Sequence, residues 1–124
     1  MPGSFQFPKS AKLLKHSDFQ HVYKTGKRHF SSLLTAFYVF RGESQHQGPR
    51  VGFTVGRVLG GSVERNRMKR RMREAVRFHL SELKAPVDVV FNPKKAVLTA
   101  EFDQIEQEVK RAFEVIQKVA SKTR

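Results

Sequence analysis

The segment from Val63 to Leu83, VERNRMKRRMREAVRFHLSEL, narrows the possible folds more than any other part of the chain. Wound at about 100° per residue, it gathers Met68, Met72, Ala75, Val76, His79 and Leu83 on one side. Asn66, Lys69, Arg70, Arg73 and Arg77 gather on another, with Arg65, Arg67 and Arg71 on the flanks near the start. Such a helix has to lay its apolar stripe on a core and keep its basic ridge in solvent. Ser62 reads as its N-cap after the turn Leu59-Gly60-Gly61, and Pro86 ends it. The rest of the chain therefore has to supply a surface for that stripe to cover.

The flanking elements can supply one. Ser17 with Gln20 three residues on has the pattern of a capping box, Gly26 closes the helix, and Phe19, Val22 and Tyr23 share one face. His29 to Phe40 reads as one strand with apolar residues at both parities, as in a strand covered on both faces. Gly42–Pro49 reads as a hairpin loop leading into Val51, Phe53 and Val55. These alternate with Gly52, Thr54 and Gly56, so one strand face is bulky and the other bare, open to a helix or a ligand. Val87–Phe91 reads as a short buried strand ended by Asn92-Pro93. Thr99 reads as the cap of a last helix with the stripe Phe102, Ile105, Val109, Ala112, Phe113 and Ile116. The order α-β-β-α-β-α is an α+β sandwich with helices on at least one face of a small sheet. Residues 1–12, with Pro2, Gly3, Pro8, Lys9 and Lys12, read as a flexible basic arm, and 13–124 as a single domain.

Charge says what the ridge is for. Across 124 residues, 24 Lys and Arg stand against 11 Asp and Glu, a formal net charge of +13. An excess that large destabilises a compact chain by self-repulsion unless a polyanion compensates it. The cations of the ridge crowd the first half of the helix, where the dipole is already positive, and Lys69–Arg73 and Arg73–Arg77 are like-charged i,i+4 pairs. Local stability opposes that arrangement, whereas a phosphate backbone, met by Arg forks, the Ser62 hydroxyl and free N–H groups, favours it. A merely solvated basic face would interleave more Glu. A membrane surface is the competing polyanion. The sequence has no apolar run near the roughly 20 residues of a bilayer span and no secretory signal pattern, so a cytoplasmic protein with no membrane partner is expected.

No catalytic constellation stands out. Cys is absent, and His16, His21, His29, His46 and His79 form no i,i+4 metal-ligand pair. Glu101, Glu106, Glu108 and Glu114 read as the solvated face of the last helix, and Gly52–Arg57 lacks the ending of a phosphate-binding P-loop.

Arg65-Asn66-Arg67, followed by Met68-Lys69-Arg70 and Arg73, resembles the RNR signature of the bacterial ribonuclease P protein family. Arg50-Val51-Gly52-Phe53-Thr54-Val55 running into Arg57 is similar to that family's strand before the signature helix. Phe7-Pro8-Lys9, Leu13-Leu14, Asp18-Phe19-x-x-Val22-Tyr23 and the late strand with Pro93 and Lys94 fit as well, so the resemblance spans nearly the whole chain. It departs at Val58, where the family often has a second basic residue, and at Gly61, where the turn usually carries Asn.

The resemblance implies an αβββαβα order with a four-stranded sheet, an extra short strand near Lys27–Ser31, and a left-handed β-α-β crossover around the signature helix. It implies a protein subunit of ribonuclease P, the endonuclease that removes the 5′ leader of precursor tRNA. Catalysis would belong to the RNA subunit, Mg²⁺ would be held mainly by RNA phosphates, and the protein itself would be monomeric. By resemblance, Arg57, Arg65, Asn66, Arg67, Lys69, Arg70 and Arg73 would bind the ribonuclease P RNA. Phe19 and Tyr23 would stack bases of the single-stranded leader, with Phe37 or Tyr38 lining the same cleft. The alternative for Phe19 and Tyr23 is plain core, for both rings or for one of them. A ribosomal or rRNA-assembly protein is the first alternative. A major-groove DNA binder lacks a preceding helix-turn, and a self-sufficient nuclease lacks an acidic metal cluster.

Overall fold

The computed structural model describes residues 11–13, 15–42 and 48–122. Three helices, α1 (His16–Thr25), α2 (Ser62–His79) and α3 (Phe102–Lys122), accompany four strands, β1 (Lys27–Phe30), β2 (Leu34–Phe40), β3 (Arg50–Phe53) and β4 (Val87–Pro93). The sheet order is β1-β2-β4-β3; β2 pairs antiparallel with β1 and β4, and β3 runs parallel to β4. The chain thus has the expected α+β architecture in αβββαβα order.

α2 and α3 cover one face. Their stripes, Met68, Met72, Ala75 and Val76 with Ile105, Val109, Ala112, Phe113 and Ile116, form one core with Ala36, Tyr38, Val51, Val87, Val89 and Phe91. α1 lies on the other face, where Leu13, Val22 and Val90 make a smaller buried cluster joined by half-buried Phe19, Tyr23, Phe37 and Val39.

Several local expectations are corrected. The single strand from His29 to Phe40 is two strands, because the turn between them is pinned from outside. The Glu108 carboxylate accepts from the Ser31 hydroxyl at 2.7 Å and from the Leu33 N–H at 2.8 Å. Glu108 is therefore an anchor rather than part of a solvated face, and half-buried Glu106 approaches His79 at 3.3 Å. The segment Gly42–Pro49 makes no hairpin, since β4 is inserted between β2 and β3; its residues 43–47 lie outside the described residues.

The three predicted caps are displaced. α1 begins at His16, with the Lys15 carbonyl accepting from the N–H groups of Asp18 and Phe19, so Ser17 is already inside the first turn. α2 takes Gly61 rather than Ser62 as its N-cap, and the Glu64 carboxylate accepts the Gly61 N–H at 2.8 Å. Gly60 precedes it at φ +147°, a backbone conformation that disfavours a side chain. Thr99 ends a 3-10 turn over Lys95–Leu98, and Glu101 stands at the start of α3.

The arm expected over residues 1–12 falls largely outside the described residues. Within them, Ala11 is buried and Lys12 bridges Val51 at the free edge of β3, so the packed domain begins before residue 13.

Candidate nucleic-acid interface

α2 sorts its cations by what their heads touch. Arg71 turns back to the chain and donates to the carbonyls of Leu98 and Ala100. Arg65 donates from Nε to the Gly60 carbonyl at 3.1 Å, bracing the turn before the helix. Arg77 pairs with Glu74. Asn66, Arg67, Arg70 and Arg73 stay exposed, Lys69 half-exposed, and Arg57 is exposed in the 3-10 turn Arg57–Leu59. The buried side of the same helix, from Met68 to Val76, fixes the direction in which these cations point. Val58, 92% exposed, puts an apolar side chain on the surface beside this basic helix.

The α1 face is only partly closed. Strand register settles which aromatic of β2 faces α1. Tyr38 is buried in the α2–α3 core, where burial raises its hydroxyl pKa, while Phe37 is half-buried under α1. Tyr23 meets Phe37 edge-on, centroids 4.9 Å apart, and its hydroxyl donates to Asn92 Oδ1 at 2.9 Å. Phe19 lies over Gly52, where a Cβ would come 2.5 Å from its Cζ. The bare face of β3 is thus a seat for an aromatic ring.

A charge cluster holds α1 on the sheet. Asp88, 4% exposed between the buried valines of β4, accepts from Arg41 at 2.6 Å and from Arg50 at 2.9 and 2.8 Å. Arg50 also reaches Asp18 of α1 at 3.5 Å. The Arg50 pKa is raised, chiefly by its hydrogen bond to Asp88 and against the opposing effect of burial. A buried carboxylate needs such partners, and here they tie β2, β3, β4 and α1 together. The lone Asp in VDVVF was the available sequence signal for this cluster.

The two surfaces meet at the edge of β3. A groove of about 230 Å³ there is lined by Lys12, Phe19, Gly52 and Phe53 and by Lys69 and Arg73 of α2. Arg73 lies over the Phe53 ring, 5.9 Å from its centroid. The structure therefore brings Phe19 together with Lys69 and Arg73, and sets Tyr23 and Phe37 farther along the same apolar cluster. Lys12 and Phe53 were missed as groove residues: Lys12 belongs to no periodic pattern, and the alternation that includes Phe53 does not tell what lies beside the strand edge. Among the described residues, no group of three His, Cys, Asp or Glu side chains is placed to hold a metal ion. No described helix is long and apolar enough to cross a membrane.

Comparison with known proteins agrees across sequence and fold. The family model for Ribonuclease P matches residues 7–117. The chain is 35% identical over 98 residues to the ribonuclease P protein component of Finegoldia magna, covering 79% of this chain and 83% of that one. It is 34% identical over 101 residues to that of Clostridium novyi, covering 82% and 88%. The solved Staphylococcus aureus RNase P protein superposes with a TM-score of 0.74 at 25% identity, over 88% of this chain and 97% of the other.

Proposed function

The chain belongs to the ribonuclease P protein family, and from that premise we propose that it uses two adjoining surfaces for the two RNAs of the enzyme. The family makes it an RNA-binding protein of tRNA processing. In the finer reading, the α2 ridge docks on the ribonuclease P RNA. Exposed Arg67, Arg70 and Arg73, with Lys69 and Arg57, neutralise phosphates, and Asn66 adds hydrogen bonds. Arg65, already bonded to the Gly60 carbonyl, holds the turn and offers its remaining N–H groups to the RNA. The half-open groove under α1 takes the single-stranded 5′ leader of precursor tRNA, with Phe19, Tyr23 and Phe37 as stacking surfaces.

The observation that carries this reading is the groove at the edge of β3. A stacking ring, Phe19, and phosphate-binding cations, Lys69 and Arg73, line one space. RNA held on the ridge and leader held under α1 would then be neighbours, as a cut at the leader boundary requires. The protein's contribution is to bind and position, and phosphodiester hydrolysis belongs to the RNA subunit with Mg²⁺ held by RNA phosphates. The protein acts as a monomer in the cytoplasm.

The test is reconstitution at low Mg²⁺ with a ribonuclease P RNA and precursor tRNA. Cleavage that needs both protein and RNA is expected. Cleavage by protein alone would show a self-sufficient nuclease, and no effect of the protein would return the chain to the ribosomal or rRNA-assembly alternative.

A further inference from the structure

The α1 side of the sheet continues beyond α1 onto β1, an edge strand to which the proposed function gives no role. Cross-strand register sets Arg28 opposite Phe37 and Phe30 opposite Thr35, so both side chains point to the α1 side. Lys27 and His29, opposite Tyr38 and Ala36, point to the other. α1 packs on β2 and β4, and Arg28 and Phe30 remain exposed, Phe30 to 66%. Among the described large apolar residues left exposed, Phe30 is the one on the sheet; Val58, Val63 and Phe78 belong to α2 and the turn before it.

One exposed Phe alone would need no explanation, but its neighbours form a series. The Arg28 guanidinium lies over Phe37, 5.3 Å from the ring centroid, and Phe37 in turn meets Tyr23. A guanidinium resting on a ring has lost part of its rotamer freedom, so less is lost when it binds an oxyanion. An exposed ring beside a positioned cation suits single-stranded RNA, in which a base stacks and the next phosphate is bound.

We infer that Arg28 and Phe30 form an outer leader subsite, with Phe30 stacking a base and Arg28 binding the adjoining phosphate. This rests on the leader reading of the α1 groove and extends it. β1 and β3 are opposite edges of the sheet, about 14 Å apart at ordinary strand spacing. Since the β3 edge adjoins the ridge, the β1 edge would hold nucleotides farther from the cleavage site.

Leader length supplies the test. Holoenzyme affinity is measured for mature tRNA and for precursors whose leaders are extended one nucleotide at a time. Phe30→Ala and Arg28→Ala are each expected to weaken binding about fivefold or more for long leaders, with no change for the shortest leaders or mature tRNA. Arg28→Ala should also lower the salt slope with long leaders by about one ion, whereas Arg28→Lys keeps that slope. Phe30→Tyr keeps the ring and should bind like the parent. Equal losses at every length, or none at long lengths, would overturn the subsite while leaving the groove intact. A parent holoenzyme blind to leader length would overturn the groove reading itself.

Discussion

On the α2–α3 side of the sheet, β2 presents Leu34, Ala36 and Tyr38, all buried, before half-buried Phe40 at its end; on the α1 side it presents Thr35, Phe37 and Val39, all half-buried. The same strand thus carries one closed and one half-open face. Width explains why. Four strands span roughly 19 Å at ordinary spacing, two helices packed about 8–10 Å apart cover that, and one helix about 10 Å across covers half. A ten-residue α1 leaves aromatic surface uncovered that a two-helix layer would seal. Stability is expected to concentrate on the closed face and leader contact on the open one.

The largest effect that could break this contrast lies in the core. Phe91 is fully buried, stacked on Phe53 at 6.1 Å and tilted against Phe113 at 5.9 Å. Phe91→Ala should cost about 3–5 kcal/mol in urea unfolding. Under conditions where the variant is still folded, its leader affinity should match the parent's. A large loss of leader affinity in folded protein would mean that the two faces are not separable.

Next in size is a contrast within α2. Arg71→Ala removes bonds from a guanidinium to the Leu98 and Ala100 carbonyls and should destabilise the fold by about 1.5–3 kcal/mol, with the salt dependence of RNA binding unchanged. Arg67→Ala should do the reverse, leaving the melting temperature in place and reducing the salt slope by about one ion. Matching behaviour of the two variants would remove the distinction between bracing and binding arginines.

On the open face, Tyr23→Ala should weaken precursor tRNA binding by about 1–3 kcal/mol and leave mature tRNA almost unaffected. Gly52→Ala sharpens the point without deleting an aromatic. The new Cβ would fall 2.5 Å from Phe19 Cζ and 3.2 Å from Leu13 Cβ, so the ring has to leave its seat. A stability loss of about 1 kcal/mol with a larger loss of leader affinity is expected. Parallel losses for precursor and mature tRNA in either variant would assign these rings to the core alone.

What was legible in the sequence follows the range of the interactions concerned. The stripes of α2 and α3 and the shared face of Phe19, Val22 and Tyr23 repeat within a few residues and are where periodicity put them, except that α2 ends at His79 and Leu83 reaches the core from beyond the 3-10 turn Leu80–Glu82. The split between β1 and β2 has no Gly or Pro to mark it and depends on Glu108, 75 residues beyond Leu33; family resemblance supplied the extra strand. The insertion of β4 between β2 and β3 is likewise a long-range fact that turned an expected hairpin into a crossover. Ser17, Ser62 and Thr99 all had the right chemistry for caps, but stood one or two residues past or short of the N-cap positions that packing selected. At the site, register decided between Phe37 and Tyr38, and no one-dimensional pattern could have done so.

The smallest expected effect concerns neighbours on β1 that face opposite ways. Phe30 and Arg28 look to the open side, and His29, between them, looks toward α3. Burial, then the positive charge of Arg111, hold the His29 pKa below its ordinary value, with Glu108 acting against them. Its Nε2 is buried without a hydrogen-bond partner. In the unfolded chain the imidazole takes up its proton near the ordinary value of about 6.5. Between that value and the lower folded one, the unfolded state holds more protons, so stability rises with pH. The contribution is therefore fully present above the ordinary value and is lost as pH falls through the folded one. His29→Gln should flatten urea-unfolding stability across that acidic window, and Arg111→Gln should narrow the window by letting the histidine pKa rise. Neither change should alter leader affinity at neutral pH, because the ring lies on the closed side. If parent and His29→Gln lose stability with the same slope on acidification, another group carries the acid sensitivity; if leader affinity falls instead, the two sides of β1 are coupled.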